Sequence, residues 1–146
     1  MKKWLKMIKN EKGLTLIELL AVVVILGIIA AIAVPSISGI IDNTKKDAHV
    51  SNALMIISSA KLAEASGSWN TTTIQTIKGG DLVDTKYLDA LPKDPDGEKY
   101  TSVIVTKDIN SKPNVYSIKL VGSKRSVNAT ESELNSEGRK KVSDNK

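Results

Sequence analysis

The chain has 146 residues, 41% of them hydrophobic, with a formal net charge of +5 and no cysteine. This length allows one modest domain, and the lack of cysteine excludes a disulfide-stapled scaffold and a catalytic thiol. The charge does not indicate a nucleic-acid-binding protein. Residues 1–13 hold five lysines and one glutamate, which leaves +1 for the rest, so no specific nucleic-acid partner is predicted.

The basic stretch is followed by a run from Leu14 to Val34 in which only Thr15 and Glu18 are polar. As an α-helix rising about 1.5 Å per residue, this run is long enough to cross roughly 30 Å of hydrocarbon. Positive residues ahead of such a run hold that end in the cytoplasm. We therefore expect a single membrane pass, with everything after the run outside the cell.

Glu18 is out of place in a membrane-length run, because a charge there costs a few kcal/mol on insertion scales. One explanation is that Glu18 snorkels to the membrane interface. Another interpretation of the whole stretch is an ordinary secretory signal, with Ala31-Ile32-Ala33 before the cleaved bond. Against that interpretation, the apolar region exceeds the usual 7–15 residues, and a secretory signal has no use for a glutamate.

The string KGLTLIE, which ends at Glu18, together with the apolar run resembles the N-terminal signal of the type IV pilin family. The similarity covers about residues 8 to 41. It implies that a prepilin peptidase cleaves between Gly13 and Leu14 and methylates the new amine on Leu14. It also implies that Glu18 sets the register of assembly by meeting the amine of a neighbouring subunit. The absence of cysteine resembles the pilins of Gram-positive bacteria.

Beyond the run, the sequence stays helix-compatible to about Ser66, and Gly67 is a typical helix stop. Pro35 removes a backbone donor and is predicted to kink the helix, as prolines here do in many family members. After Asp42 the helix becomes amphipathic, which predicts that it enters a globular head. His49, the single histidine, is expected at an exposed polar position of this half.

The head is predicted to be a small β-structure with an aliphatic core, since the chain contains no phenylalanine. Residues 68–80 suit a connecting loop with one short extended piece, and 81–91 suit a helical turn. Two prolines and a glycine make 92–97 a turn. The alternating runs 100–107 and 115–121 predict an antiparallel hairpin.

A third short strand is predicted around Ser126 and Val127. The residues that follow this strand allow two interpretations. From about residue 129 the sequence is highly charged. Thr130 and Glu133 have the spacing of a capping box for a frayed helix, and solvated disorder is the alternative.

The turn LPKDPDGEKY also resembles a loop of major pseudopilins and of several Gram-positive pilins. Some of those relatives hold a calcium ion near the sheet, which makes Asp94 and Asp96 candidate calcium ligands. Turn chemistry alone also accounts for Asp, Pro and Gly in this order. No other cofactor and no metal site is predicted.

Together these observations predict an α+β fold. A long kinked N-terminal helix with a hydrophobic first half packs against a small antiparallel β-sheet head. The predicted domains are a leader (1–13), a membrane-spanning or filament-core helix (14–41) and a head (42–146) with a charged tail from about residue 129.

The predicted function is a non-enzymatic structural subunit of a type IV pilus, a surface fibre for adhesion, motility or biofilm formation. The alternative is a pseudopilin of a DNA-uptake or secretion system, and a lesser alternative is a monomeric membrane-anchored extracellular binding module. The implied partners are further copies of the chain, the prepilin peptidase, the assembly platform and minor pilins. The chain is expected in the cell membrane before assembly and in an extracellular pilus or at the cell surface afterwards.

Overall fold

The computed structural model describes residues 15–69 and 75–145. Over these residues a long helix precedes a five-stranded antiparallel sheet and two short helices, which confirms the predicted α+β fold. The described residues divide between two compact units that separate between Ile41 and Asp42. We call the second unit the head.

The long helix, α1, runs over Leu16–Ala65 and includes Pro35. Gly67 follows it with a φ of 79°, in the left-handed region that glycine adopts without strain. The backbone N–H of Gly67 donates to the carbonyl of Glu64 at 2.9 Å, and that of Ser68 donates to Ala63 at 3.0 Å. This pair of bonds is a Schellman motif, and it confirms the predicted end of the helix.

The elements after α1 are β1 (Gln75–Lys78), α2 (Gly79–Asp84), β2 (Ser102–Asp108), β3 (Val115–Val121), β4 (Arg125–Thr130), α3 (Glu131–Glu137), a 3₁₀ turn (Gly138–Lys141) and β5 (Val142–Asp144). In the sheet each strand pairs with the strand before it, in the order β1-β2-β3-β4-β5. The predicted hairpin is confirmed as β2 and β3, and the predicted third strand is confirmed as β4, which is longer than expected.

The core lies between the sheet and the part of α1 that belongs to the head. Alternate residues of β2 are buried, as expected for a sheet with one covered face. From the helix, Ala53, Ile56, Ile57 and Ala60 are fully buried against this face. Each fully buried isoleucine contributes about 1.5–3 kcal/mol. The core is aliphatic as predicted, with Trp69 as its one buried aromatic residue among those described.

The helix predicted over 81–91 has different bounds. It begins earlier, because the carboxylate of Asp81 accepts from the N–H of Lys78 at 3.1 Å. It ends at Asp84, since Lys86 adopts a positive φ of 62° that a helix cannot continue. Leu82 and Leu88 are nevertheless buried, so the segment contributes to the core.

The charged C-terminal stretch is folded over its described residues, so the alternative of solvated disorder was wrong. The capping box is present: Glu133 N–H donates to Thr130 Oγ1 at 3.3 Å, and Thr130 N–H donates to Glu133 Oε2 at 2.8 Å. Leu134 of α3 is buried in the core. β5 then pairs with β4, so backbone hydrogen bonds order a stretch that its charge alone would leave in solvent.

Candidate functional site

The N-terminal segment begins, in the described residues, at Thr15. Gly13 and Leu14, the predicted cleavage and methylation residues, lie outside them. Glu18 Oε2 accepts from Thr15 N–H at 2.7 Å and from Thr15 Oγ1 at 2.8 Å, while Glu18 N–H donates to Thr15 Oγ1 at 3.3 Å. This reciprocal arrangement is a capping box at the start of α1. This capping box was not predicted, although its T-x-x-E spacing is the same as at Thr130.

The side chains that follow form an almost wholly apolar, exposed surface. From Leu16 to Ile41 every residue is exposed except Ala33, which is half-buried, and Glu18 is the one charged residue. Within the described part of the chain, α1 is the helix long and apolar enough to cross a membrane. Residues 16–41, called here the apolar segment, therefore need lipid or protein to cover them.

Polar groups inside the apolar segment are satisfied by the helix itself. Ser36 Oγ donates to the carbonyl of Ile32 at 3.3 Å, and Ser38 Oγ donates to that of Val34 at 3.1 Å. These bonds flank Pro35, which lacks the N–H that would bond to the preceding turn. The segment can thus enter an apolar environment with few unpaired hydroxyl donors, and the kink at Pro35 stays a prediction.

A second group of functional interest lies in the head, around the turn that carries Asp94 and Asp96. The Asp94 side chain is fully buried and accepts from the N–H groups of Asp96 at 2.9 Å and Ser123 at 2.6 Å. Burial alone would raise the pKa of Asp94, but these backbone hydrogen bonds outweigh it and hold the pKa below its ordinary value. The charged carboxylate of Asp94 therefore connects the turn, through Asp96, to the β3–β4 connection, through Ser123.

His49 is fully buried at this cluster, so its prediction as an exposed residue was wrong. Its Nδ1 lies 2.9 Å from Tyr100 Oη, and its Nε2 lies 3.2 Å from Asp96 Oδ2. Asn52 Nδ2 donates to Tyr100 Oη at 3.0 Å and so completes the chain of hydrogen bonds. Burial raises the pKa of Tyr100 to about 12, so its hydroxyl keeps its proton. Both ring nitrogens of His49 are occupied, which explains why a buried histidine is tolerated.

Asp96 is the centre of the charged contacts. Its carboxylate meets Lys45 Nζ at 3.1 Å and Arg125 Nη1 at 2.8 Å. Burial would raise the pKa of Asp96, but hydrogen bonds from His49 and Lys45, with the charge of Arg125, hold the pKa below its ordinary value. We call this group the polar cluster: Lys45, His49, Asp94, Asp96, Tyr100 and Arg125.

The polar cluster does not have the chemistry of a calcium site. Donor atoms of His49, Asp94 and Asp96 lie within 4.8 Å of one another. Calcium takes six to eight oxygen ligands, whereas here two carboxylates are already bonded to cations, backbone N–H groups and an imidazole. The positive charges of Lys45 and Arg125 would also repel an added cation. Calcium binding by Asp94 and Asp96 stays an untested prediction that this arrangement does not favour.

Comparison with known proteins agrees with the N-terminal geometry. The family model for the prokaryotic N-terminal methylation motif matches residues 8–34. The chain is also 30% identical over 108 residues to the type II secretion system core protein G of Dickeya chrysanthemi, an alignment that covers 65% of this chain and 69% of that protein. No solved structure matches significantly. With its methylation motif, long apolar helix and small sheet, the chain belongs to the type IV pilin family and is a pilin or pseudopilin subunit.

Proposed function

We propose that the chain is a non-enzymatic structural subunit that polymerises with copies of itself through the apolar segment. The observation that supports this most is the exposure of residues 16–41, whose single charged group is Glu18. Such a surface is stable in lipid as a monomer and in a bundle of like helices as a polymer. The apolar segment therefore lies in the lipid of the membrane before assembly. It lies in a bundle of like helices after the chain has joined a fibre outside the cell.

Before assembly, the prepilin peptidase cuts between Gly13 and Leu14, and the new amine of Leu14 is methylated. The chain then spans the membrane once with its N-terminus in the cytoplasm, because the lysines ahead of the apolar run hold that end there. The assembly platform and minor pilins are the further partners. This order of events is supported by the methylation motif at residues 8–34.

Glu18 sets the height at which a subunit enters the fibre. In the free subunit its carboxylate accepts from Thr15, so it is paired before assembly. In the fibre it exchanges these donors for the cationic amine of a neighbouring Leu14. A subunit at the wrong height would leave a buried charge without a partner, which costs about 3–5 kcal/mol. The contact between Glu18 and the neighbouring amine therefore fixes the relative height of two subunits more than it stabilises the fibre.

The test is fibre yield after shearing, in a strain that makes one version of the protein. Glu18→Ala is expected to insert in the membrane and fold its head but to lose most polymer, and Glu18→Asp to assemble partly. Thr15→Ala is the matched control, since it breaks the capping box and keeps the carboxylate. A wild-type yield from Glu18→Ala would remove Glu18 from the mechanism. An equal loss from Thr15→Ala would assign the effect to helix capping.

Two kinds of fibre fit this role. A long surface pilus for adhesion, motility or biofilm formation is our first assignment. A short pseudopilus is the second, and the similarity to a type II secretion system core protein favours it. Electron microscopy of sheared cell-surface material separates them: long fibres a few nanometres across indicate a pilin, and their absence from wild-type cells indicates a pseudopilin. A purely monomeric membrane protein would contradict both assignments.

A further inference from the structure

The sheet of the head has a second face, which α1 does not cover. Paired residues of neighbouring strands point to the same side of a sheet, and successive residues of one strand point to opposite sides. Because Val105 and Ile118 are buried in the core against α1, the residues next to them in their strands lie on the uncovered side. We call this side the outer sheet face. Its middle row crosses four strands in register: Lys78, Ile104, Lys119 and Asn128.

Lys78 and Lys119 place two positive charges on the outer sheet face. Both side chains are exposed, and both residues lie opposite Ile104, so two strand spacings, roughly 10 Å, separate their backbones. Among the described residues neither ammonium group forms an ion pair. Lys107, on the covered face, is by contrast paired with Glu64. The charges of the outer sheet face are therefore available to a ligand.

The carboxylates near these lysines are engaged by their own turns. Asp108, the acid of the outer sheet face among the described strand residues, accepts from the N–H of Asn110 at 2.9 Å and from Ser111 Oγ at 3.2 Å. Asp81, which follows β1, accepts from the N–H of Lys78 at 3.1 Å. The middle row itself contains no acid, so it presents positive charge to solvent.

Hydroxyl groups flank the middle row on both sides. On one side Thr76, Thr106 and Ser117 stand in register across three strands. On the other side Ser126 pairs with Ser143, and their Oγ atoms lie 3.2 Å apart. A hydroxyl can both donate and accept, so these rows can bond to the hydroxyl groups of a ligand in either direction. The outer sheet face therefore combines two separated cations with many neutral hydrogen-bonding groups.

This combination does not suit a nucleic acid. Among the described strand residues the one aromatic side chain is Tyr116, which lies on the covered side beside Lys61. Stacking of bases on aromatic rings, which gives affinity for single strands, is therefore missing from the outer sheet face. Duplex DNA is bound through many phosphate contacts or by an element that enters a groove, and a flat face with two lysines offers neither.

We propose that the outer sheet face binds a polyol-phosphate polymer, a chain of polyhydroxyl units joined by phosphodiester groups. Lys78 and Lys119 each bind a phosphate as a point charge, and the hydroxyl rows bond to the polyol units beside them. Ile104 is half-buried between the two lysines, which lets the polymer lie flat across the strands. The inference goes beyond the proposed function, because it concerns the head alone and does not require polymerisation.

Binding is measured by fluorescence anisotropy of a labelled glycerol phosphate oligomer, titrated with the full chain in an uncharged detergent. We expect affinity that falls as salt is added, because the contacts depend on charge. Lys119→Gln should lower the affinity about tenfold, the effect of losing one hydrogen bond to a charged group. Lys112→Gln is the matched control: Lys112 is exposed in the β2–β3 connection, outside the strands, and its loss should leave the affinity unchanged. No binding by the wild type, or equal losses from the two variants, would overturn the inference.

A substitution between the lysines gives an independent measurement. Ile104→Glu puts a negative charge in the middle row and should abolish binding, whereas Ile104→Ala should largely keep it. Thermal unfolding followed by circular dichroism checks that both variants fold, and if Ile104→Glu does not, the Lys119→Gln result decides.

Competition tests the chemistry of the ligand. Unlabelled glycerol phosphate oligomer should displace the labelled one at a lower phosphate concentration than a DNA oligonucleotide or free glycerol phosphate does. Equal displacement by the DNA oligonucleotide would show that the face binds polyanions without regard to the polyol. Equal displacement by free glycerol phosphate would show that it binds single phosphates. Either result would contradict a site for a polyol-phosphate polymer.

Discussion

Arg125 connects three separate parts of the head. Its side chain is 11% exposed and contacts a carboxylate on each of three elements: Asp42 of α1, Asp96 of the turn at 2.8 Å and Asp144 of β5 at 3.1 Å. A guanidinium offers five donors in a fixed plane, which suits it to several acceptors at once. The contacts at this end of the head are therefore electrostatic, whereas Ala53, Ile56, Ile57 and Ala60 of α1 make aliphatic contacts in the core.

Arg125→Ala should lower the free energy of unfolding by about 3 kcal/mol, because it leaves the buried carboxylate of Asp96 short of a cation. Arg139→Ala is the control, since Arg139 and Asp47 form a pair with about half of each side chain in solvent. That loss should stay below about 1 kcal/mol. Urea unfolding of the full chain in detergent, followed by circular dichroism, measures both. Equal effects would show that the polar cluster adds no stability through Arg125.

At the scale of single elements, the T-x-x-E spacing occurs at two helix starts with the same geometry. At α3, Thr130 and Glu133 bond reciprocally, as Thr15 and Glu18 do at α1. Each pair satisfies donors that a helix N-terminus leaves free. The box at α3 has a further contact, because Glu133 also pairs with Lys141 at 2.7 Å. It thus connects the start of α3 to the 3₁₀ turn that follows it.

Thr130→Ala should destabilise the head by about 1 kcal/mol, the usual loss for an N-cap. Ser132→Ala is the matched control: Ser132 is exposed in the first turn of α3 and should be nearly neutral. Hydrogen exchange of the α3 amides is the second measurement, since loss of the cap should raise exchange there more than in β2. Similar exchange in the two variants would contradict a capping role.

Elements with strong local signals were predictable from sequence, and contacts between distant residues were not. The end of α1 at Gly67 and the hairpin β2–β3 follow from glycine conformation and strand alternation. His49 was misassigned because its burial depends on Asp96 and Tyr100, far along the chain, which helical periodicity does not reveal. The last strand was missed because its order comes from backbone pairing with β4 and not from its composition.

For the molecule as a whole, the head contains the core and the polar cluster, while the apolar segment contains the exposed surface through which we propose that the chain assembles. Every charged contact described for Asp42 and Lys45 is made within the head. The head thus keeps its own interactions when residues before Asp42 are removed.

A fragment that begins at Asp42 should therefore be soluble and monomeric, because it lacks the exposed apolar segment. Sedimentation at low micromolar concentration measures its mass, and circular dichroism its fold. The same fragment with Met55→Ala is the control for residual association through the exposed Met55 side chain. Filaments from the fragment would place the assembly interface in the head.

The strand order has a consequence for how the head folds. Because every strand pairs with its predecessor, most pairings join residues close in sequence, a topology associated with fast folding. Because the chain is synthesised from its N-terminus, the strands can add in chain order, one at a time, to a helix that is already present. If the strands add in chain order, the contact with Asp144 of β5 is the last of the three carboxylate contacts of Arg125 to form. Completion of the head is then coupled to the pairing of β5 with β4, which places Asp144 opposite Arg125 and completes its set of carboxylate partners.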